Sequence, residues 1–184
     1  MVISRRAALT HSAVFAGLLS GAAGPAPPVA WEFEFPSIDE GLLRLAEFQG
    51  RVLLVVNTAS FCGYTPQYRQ LEAVHRRFSP QGFSVIGVPS DDFGQEAGSN
   101  AEVKAFCEST FGVDFPMPAI GHVRGMKAAP FYKWVRDQRR WEPKWNFYKV
   151  LIGRDGNIAG TFGSSDEPES GRLKTAIEAA VGAA

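Results

Sequence analysis

At 184 residues, with 45% hydrophobic and 12% aromatic side chains, the chain suits one folded domain plus a tail and carries material for a substantial core. Its 19 basic and 19 acidic residues cancel, so composition offers neither the basic surface that nucleic acid requires nor an acidic tail. Phenylalanine is abundant (14) and methionine scarce (3), the balance of a packed globule.

Residues 1–30 are a different material from the rest. Arg5 and Arg6 precede an Ala/Gly/Leu-rich segment from Ala13 to Ala23 and then a Gly/Pro/Ala stretch, the order of a secretory signal. The apolar part falls well short of the ~20 residues of a spanning helix, so no stable membrane insertion is expected after cleavage. The run Ser4-Arg5-Arg6-Ala7-Ala8-Leu9 resembles the twin-arginine export signal, and a general secretory signal is the other reading. Either route leads out of the cytoplasm, and a bacterial periplasm is the expected destination. Candidate cleavage points follow Ala23, Ala26 or Ala30. The expected mature domain is 31–184.

Along that domain, Trp31 to Phe35 reads as a short edge strand or an extended arm, and Leu42 to Leu45 as another short strand. Val52 to Val56 is a continuous aliphatic run, the pattern of a strand buried on both faces. It runs into Asn57-Thr58-Ala59-Ser60-Phe61-Cys62-Gly63-Tyr64, a small-residue turn that presents one thiol. Thr65 and Pro66 then read as the cap and first position of a helix reaching about Phe78. A thiol near a helix N-terminus meets the positive end of the macrodipole and unpaired amide donors, which favour the thiolate. The Gly-flanked turn is also a poor place to bury a structural cysteine.

Phe83 to Val88 is a second buried strand, which should pair parallel to the first across the helix. A loop rich in Asp and Gly, Pro89 to Gly98, leads to a helix at Ser99 or Asn100 with Val103, Phe106, Cys107 and Thr110 on one face. Phe115 to Ile120 is extended and broken by proline. Ala129-Pro130 opens a helix carrying Phe131, Trp134 and Val135 into the basic cluster Arg136 to Arg140, read as a solvated helix end or else a docking surface for a reductant. Tyr148 to Ile152 and Asn157 to Phe162 flank Arg154-Asp155-Gly156, a hairpin signal. Pro168 opens the last helix, with Leu173, Ile177 and Val181 inward. The order predicts an α/β protein with a mixed central sheet flanked by helices, the thioredoxin-like fold.

Three separated segments add a resemblance. Asn57 to Thr65, Phe93-Gly94-Gln95-Glu96-Ala97-Gly98 and Lys144-Trp145-Asn146-Phe147-Tyr148-Lys149 together resemble the glutathione peroxidase family, in its order and near its spacing. The resemblance covers about Phe35 to Val181. It implies a hydroperoxide reductase in which Cys62 is the peroxidatic residue, with Gln95, Trp145 and Asn146 around it. The chemistry is coherent: a thiolate attacks one peroxide oxygen and becomes a sulfenic acid, while two amides and an indole N–H position the peroxide without titrating. No metal and no organic cofactor is implied. Two departures stand out. The loop is one residue shorter between Gly94 and Gln95 than is usual in the family. Asp91 and Asp92 also stand where many members carry Asn and Gln, and carboxylates aimed at the thiol would oppose its ionisation.

The setting of Cys107 looks like that of members with a resolving cysteine. This implies condensation with the Cys62 sulfenic acid and recycling by a thioredoxin-type protein reductant, with glutathione as the other donor. Because Cys107 sits on a predicted helix, local unwinding is expected before the Cα atoms reach the ~4.4–6.8 Å of a disulfide. The duller reading of Cys107 is a small apolar packing residue. A permanent Cys62–Cys107 bridge would silence the nucleophile. The chain is short between the Ala129-Pro130 helix and Trp145, which in the family goes with monomers. The alternative function is a peroxide-responsive relay or sensor that passes a disulfide to a client protein.

Overall fold

The structure, a computed structural model, describes residues 27–183. The two arginines, the apolar leader segment and the cleavage points after Ala23 and Ala26 lie outside the described residues. Among those described, no helix is long and apolar enough to cross a membrane.

A four-stranded sheet forms the centre, in the order β4 (Phe83–Pro89), β3 (Val52–Thr58), β5 (Lys149–Ile152), β6 (Ile158–Phe162). β3 and β4 run parallel, whereas β3–β5 and β5–β6 are antiparallel, so the sheet is mixed as predicted. Every residue of β3 and β4 is buried, because both faces are covered. Alternate side chains of β3 divide between two cores. Val52, Leu54 and Val56 pack with Tyr68, Leu71 and Phe78 of α1 (Gln67–Phe78) and Leu173, Ile177 and Val181 of α4 (Gly171–Gly182). Leu53 and Val55 face the other way, toward Phe131, Trp134 and Val135 of α3 (Pro130–Arg139).

The N-terminal segment is a 3-10 turn at Ala30–Glu32 followed by β1 (Glu34–Pro36), which pairs antiparallel with β2 (Leu42–Arg44) as a separate two-stranded sheet. The expected arm at Trp31 to Phe35 is thus half turn and half strand.

α2 (Asn100–Phe111) is capped by the Ser99 hydroxyl, which accepts from the Glu102 amide. It ends at Gly112, whose φ of 63° is the left-handed conformation glycine adopts without strain. Its buried stripe is Val103 and Cys107 with Phe106 and Phe111 half-buried, and Thr110 is exposed. The stripe runs at i, i+4, i+8, so the position expected for Thr110 belongs to Phe111. α4 begins at Gly171, three residues past Pro168, because a turn in which the Ser170 amide donates to the Glu167 carbonyl precedes it.

Strand register gathers the three motif segments at one end of the sheet. Thr58 lies beside Pro89 at the common C-terminal end of the parallel pair, so the turn holding Cys62 and the loop holding Gln95 emerge together. Val56 pairs with Lys149 at the start of β5, which brings the Trp145–Asn146 segment to the same end.

Candidate active site

Asn57, the next-to-last residue of β3, fastens the third segment to the first. Its side-chain amide donates to the Trp145 carbonyl at 3.1 Å, and its Oδ1 accepts from the Tyr148 amide at 3.0 Å. The intervening Phe147 has a φ of 60°, a sparsely populated conformation for a bulky residue. That bend drives Phe147 fully into the core, edge-on to Tyr68, while Trp145 stays 41% exposed. Asn146 is fully buried, and its carbonyl accepts from the Ser164 hydroxyl at 2.6 Å.

Cys62 lies in a turn organised by Thr65. The Thr65 hydroxyl accepts from the Cys62 amide at 3.0 Å and donates to the Ala59 carbonyl at 2.8 Å. Thr65 therefore braces the thiol turn, and Pro66 takes the cap position of α1 predicted for Thr65. The reason is that the hydroxyl turns back toward the chain it follows, where it finds both a donor and an acceptor. The Tyr64 amide points at the Cys62 sulfur at 3.4 Å, a donor available to a thiolate. Contrary to expectation, Cys62 is buried, with 7% exposure, whereas its neighbours Phe61 and Tyr64 are exposed. The turn rolls the thiol inward onto the core and leaves two aromatic rings outside.

The loop carrying Gln95 is tied to the thiol turn through backbone, since the Phe61 amide donates to the Gln95 carbonyl at 3.0 Å. Despite the missing residue, the Gln95 side chain reaches its partner: the Asn146 amide donates to Gln95 Oε1 at 3.0 Å. Asn146 Oδ1 is buried with no hydrogen-bond partner. The two carboxylates before the loop have other work. Asp92 Oδ2 accepts from the Val123 and Arg124 amides, and its Oδ1 contacts the His122 ring at 2.7 Å. Asp91 Oδ1 accepts from the Glu96 amide and closes the loop. Trp145 packs against Phe93 with ring centroids 5.5 Å apart, and Arg124 lies over the same Phe93 ring.

Cys107 is fully buried in α2, and both thiols are free. Burial pushes the Cys107 thiol up to about 11. The Phe61 ring contacts Phe106 at 6.3 Å, joining the thiol turn to α2 one residue before Cys107.

Beneath Asn146, Lys149 is fully buried and its ammonium donates to Gln67 Oε1 and the carbonyls of Gly163, Ser164 and Asp166. It thereby joins the start of α1, the start of β5 and the turn after β6. Burial pushes Lys149 down to about 7, against the pull of the Asp166 and Glu167 charges. The roles of Asn57, Thr65, Lys149 and Ser164 were not read from the sequence. A polar Asn57 and a Lys149 at the ends of aliphatic runs were the available signals.

Among the described residues, no three His, Cys, Asp or Glu side chains gather as a metal site. The arrangement defines a thioredoxin-like protein with its thiol ahead of the first long helix. It superposes on a thiol:disulfide interchange protein from Chlorobium tepidum with a TM-score of 0.61 at 17% identity, over 87% of this chain and 100% of that one. That likeness shows the fold alone.

The family model for glutathione peroxidase matches residues 30–136, and the chain belongs to the glutathione peroxidase family. It is 39% identical over 148 residues to a hydroperoxy fatty acid reductase of Synechocystis sp., covering 74% of this chain and 88% of that protein. It is likewise 39% identical over 130 residues to a glutathione peroxidase-like peroxiredoxin of Saccharomyces cerevisiae, covering 67% and 80%. A crystal structure described as Trgpx in apo form gives a TM-score of 0.66 at 33% identity, over 84% of this chain and 96% of that one.

Proposed function

We propose that this chain is an exported thiol peroxidase that reduces hydrogen peroxide and organic hydroperoxides. The observation that carries the reading is the Gln95–Asn146 amide pair formed at the end of the sheet from which the Cys62 turn emerges. The Cys62 thiolate attacks the terminal peroxide oxygen. An S–O bond forms, the O–O bond breaks, and water or an alcohol leaves with a proton. The unpartnered Asn146 Oδ1 is an acceptor for the peroxide O–H, and the Tyr64 amide stabilises charge on sulfur. The Trp145 indole and the exposed Phe61 and Tyr64 rings give an apolar approach suited to organic hydroperoxides.

Cys107 then condenses with the sulfenic acid, forming a disulfide and releasing water, and a thioredoxin-type dithiol reduces it by two exchanges. α2 opens locally for this step. Support comes from the free second thiol and from relatives described as glutathione peroxidase-like peroxiredoxins. The protein acts as a monomer in the periplasm.

The test is a steady-state assay with thioredoxin-type and glutathione donors. Cys62→Ser abolishes peroxide consumption, and retained activity there overturns the reading. Cys107→Ser consumes one equivalent of peroxide and stops cycling with the thioredoxin-type donor. A stoichiometric single oxidation by the unaltered protein with either donor would instead identify a relay.

A further inference from the structure

Glu96 follows Gln95 and lines the seam between the thiol turn and α2. Its Oε1 accepts from the Ser60 amide at 2.9 Å and from the Ala97 amide at 2.8 Å. Its Oε2 is buried and makes no well-formed hydrogen bond; the Ser60 hydroxyl lies next to the carboxyl, and the buried Tyr68 hydroxyl lies next to Thr58 and the Cys107 thiol. The seam is a cleft of about 440 Å³ bordered by Ser60, Phe61, Glu96, Glu102 and Phe106. One side of this cleft lies one residue from Cys62, at Phe61, and the other lies one residue from Cys107, at Phe106. Burial holds the Glu96 carboxyl above the usual carboxylate range, which strengthens it as a base, and its charge is felt at Cys107 and Tyr68.

The other groups facing this seam cannot replace it. Asp91 is engaged with the Glu96 amide, and Tyr68 on α1, whose hydroxyl lies on the Cys107 thiol and eases its ionisation, is held neutral by burial and so cannot itself take the proton as a base. On α2, Glu102 is exposed, and Glu108 is paired with Lys104, which also binds Asp39.

We propose that Glu96 carries the proton of the Cys107 thiol to the departing hydroxyl of the Cys62 sulfenic acid as the two sulfurs join. The proposal rests on the peroxidase reading and on Cys107 as its resolving thiol. In this step Cys107 sulfur attacks Cys62 sulfur. The S–S bond forms, the S–O bond breaks, Cys107 is oxidised and Cys62 reduced. The thiol proton passes to the carboxylate and from it to the leaving hydroxyl, which departs as water. No external acid, base or oxidant is consumed, and Glu96 ends as it began.

The experiment separates the two half-reactions by rapid mixing of the reduced full chain with one equivalent of hydrogen peroxide. Sulfenic acid is trapped chemically, and the disulfide is counted by alkylation and mass spectrometry. Glu96→Gln keeps an oxygen acceptor for the Ser60 and Ala97 amides, so sulfenic acid forms within threefold of the parent rate. Disulfide formation falls at least tenfold at pH 7 and then climbs about tenfold per pH unit, because hydroxide must now take the proton. Glu102→Gln changes disulfide formation less than twofold. A Glu96→Gln disulfide rate within twofold of the parent overturns the proposal. So does a uniform fall with the parent's pH dependence, the mark of a merely structural role, or the same loss in Glu102→Gln. If the parent itself never joins Cys62 to Cys107, the resolving step fails and the proposal falls with it, whereas an intact parent with an unaffected Glu96→Gln sinks this proposal alone.

Discussion

The Asn146 side-chain amide donates to Gln95 Oε1 at 3.0 Å, linking a loop that leaves β4 to a segment that enters β5. The bond orients both amides and leaves Asn146 Oδ1 as a buried acceptor with nothing to accept. An unpaired buried acceptor costs stability, on the order of 1–3 kcal/mol, and a site retains one where a ligand completes it.

Asn146→Ala therefore slows sulfenic acid formation at Cys62 by about 10- to 100-fold, within reach of what removing one preorganised polar group costs. Stopped-flow oxidation by hydrogen peroxide measures it. Fold stability in urea falls by only about 1 kcal/mol, because losing the bond to Gln95 is partly offset by removing the unsatisfied Oδ1. An oxidation rate equal to the parent's would remove the pair from peroxide positioning.

Lys149 makes stability depend on pH. Its value in the folded chain, about 7, lies below the usual 10.5. Between pH 7 and 9 the unfolded chain holds this proton and the folded chain does not, so stability rises with pH by up to about 1.4 kcal/mol per unit. Below pH 7 both states hold the proton and the slope vanishes. Above pH 9 Cys107 acts in the opposite sense, since burial keeps its proton in the folded state. Urea denaturation at pH 7, 8 and 9 should show the rise in the parent and its loss in Lys149→Met. Parallel curves would mean that the four oxygens around the ammonium hold its proton despite burial.

Ala30 belongs to the fold. It is fully buried, and its amide donates to the Gly156 carbonyl at 2.9 Å. The Trp134 indole donates to the Pro28 carbonyl at 3.0 Å. A cut after Ala30 would discard both contacts, so processing is expected after Ala23 or Ala26. If the chain is exported as proposed, mass spectrometry of the mature protein reads the new N-terminus directly, and a chain beginning at Trp31 would contradict this expectation.

Local pattern was enough for the central sheet and the helices, and the family resemblance carried the choice of candidate site residues. An aliphatic run such as Val52 to Val56 is buried on both faces in any arrangement that covers it, and Arg154-Asp155-Gly156 turns a hairpin from its own backbone preferences. The direction in which loop side chains point was a different matter. Cys62 was expected in the open and is buried. Thr65 was expected to cap α1 and instead braces the thiol turn. Asp91 and Asp92 would oppose ionisation only if aimed at the thiol, and they bind backbone amides instead. Gln95 reaches Asn146 across a shortened loop. Gln95 and Asp92 find their partners 30 to 51 residues away, while Thr65 and Asp91 close short loops onto partners three to six residues off. In both cases specific hydrogen bonds, which residue-type preference does not encode, choose among loop conformations of similar local energy.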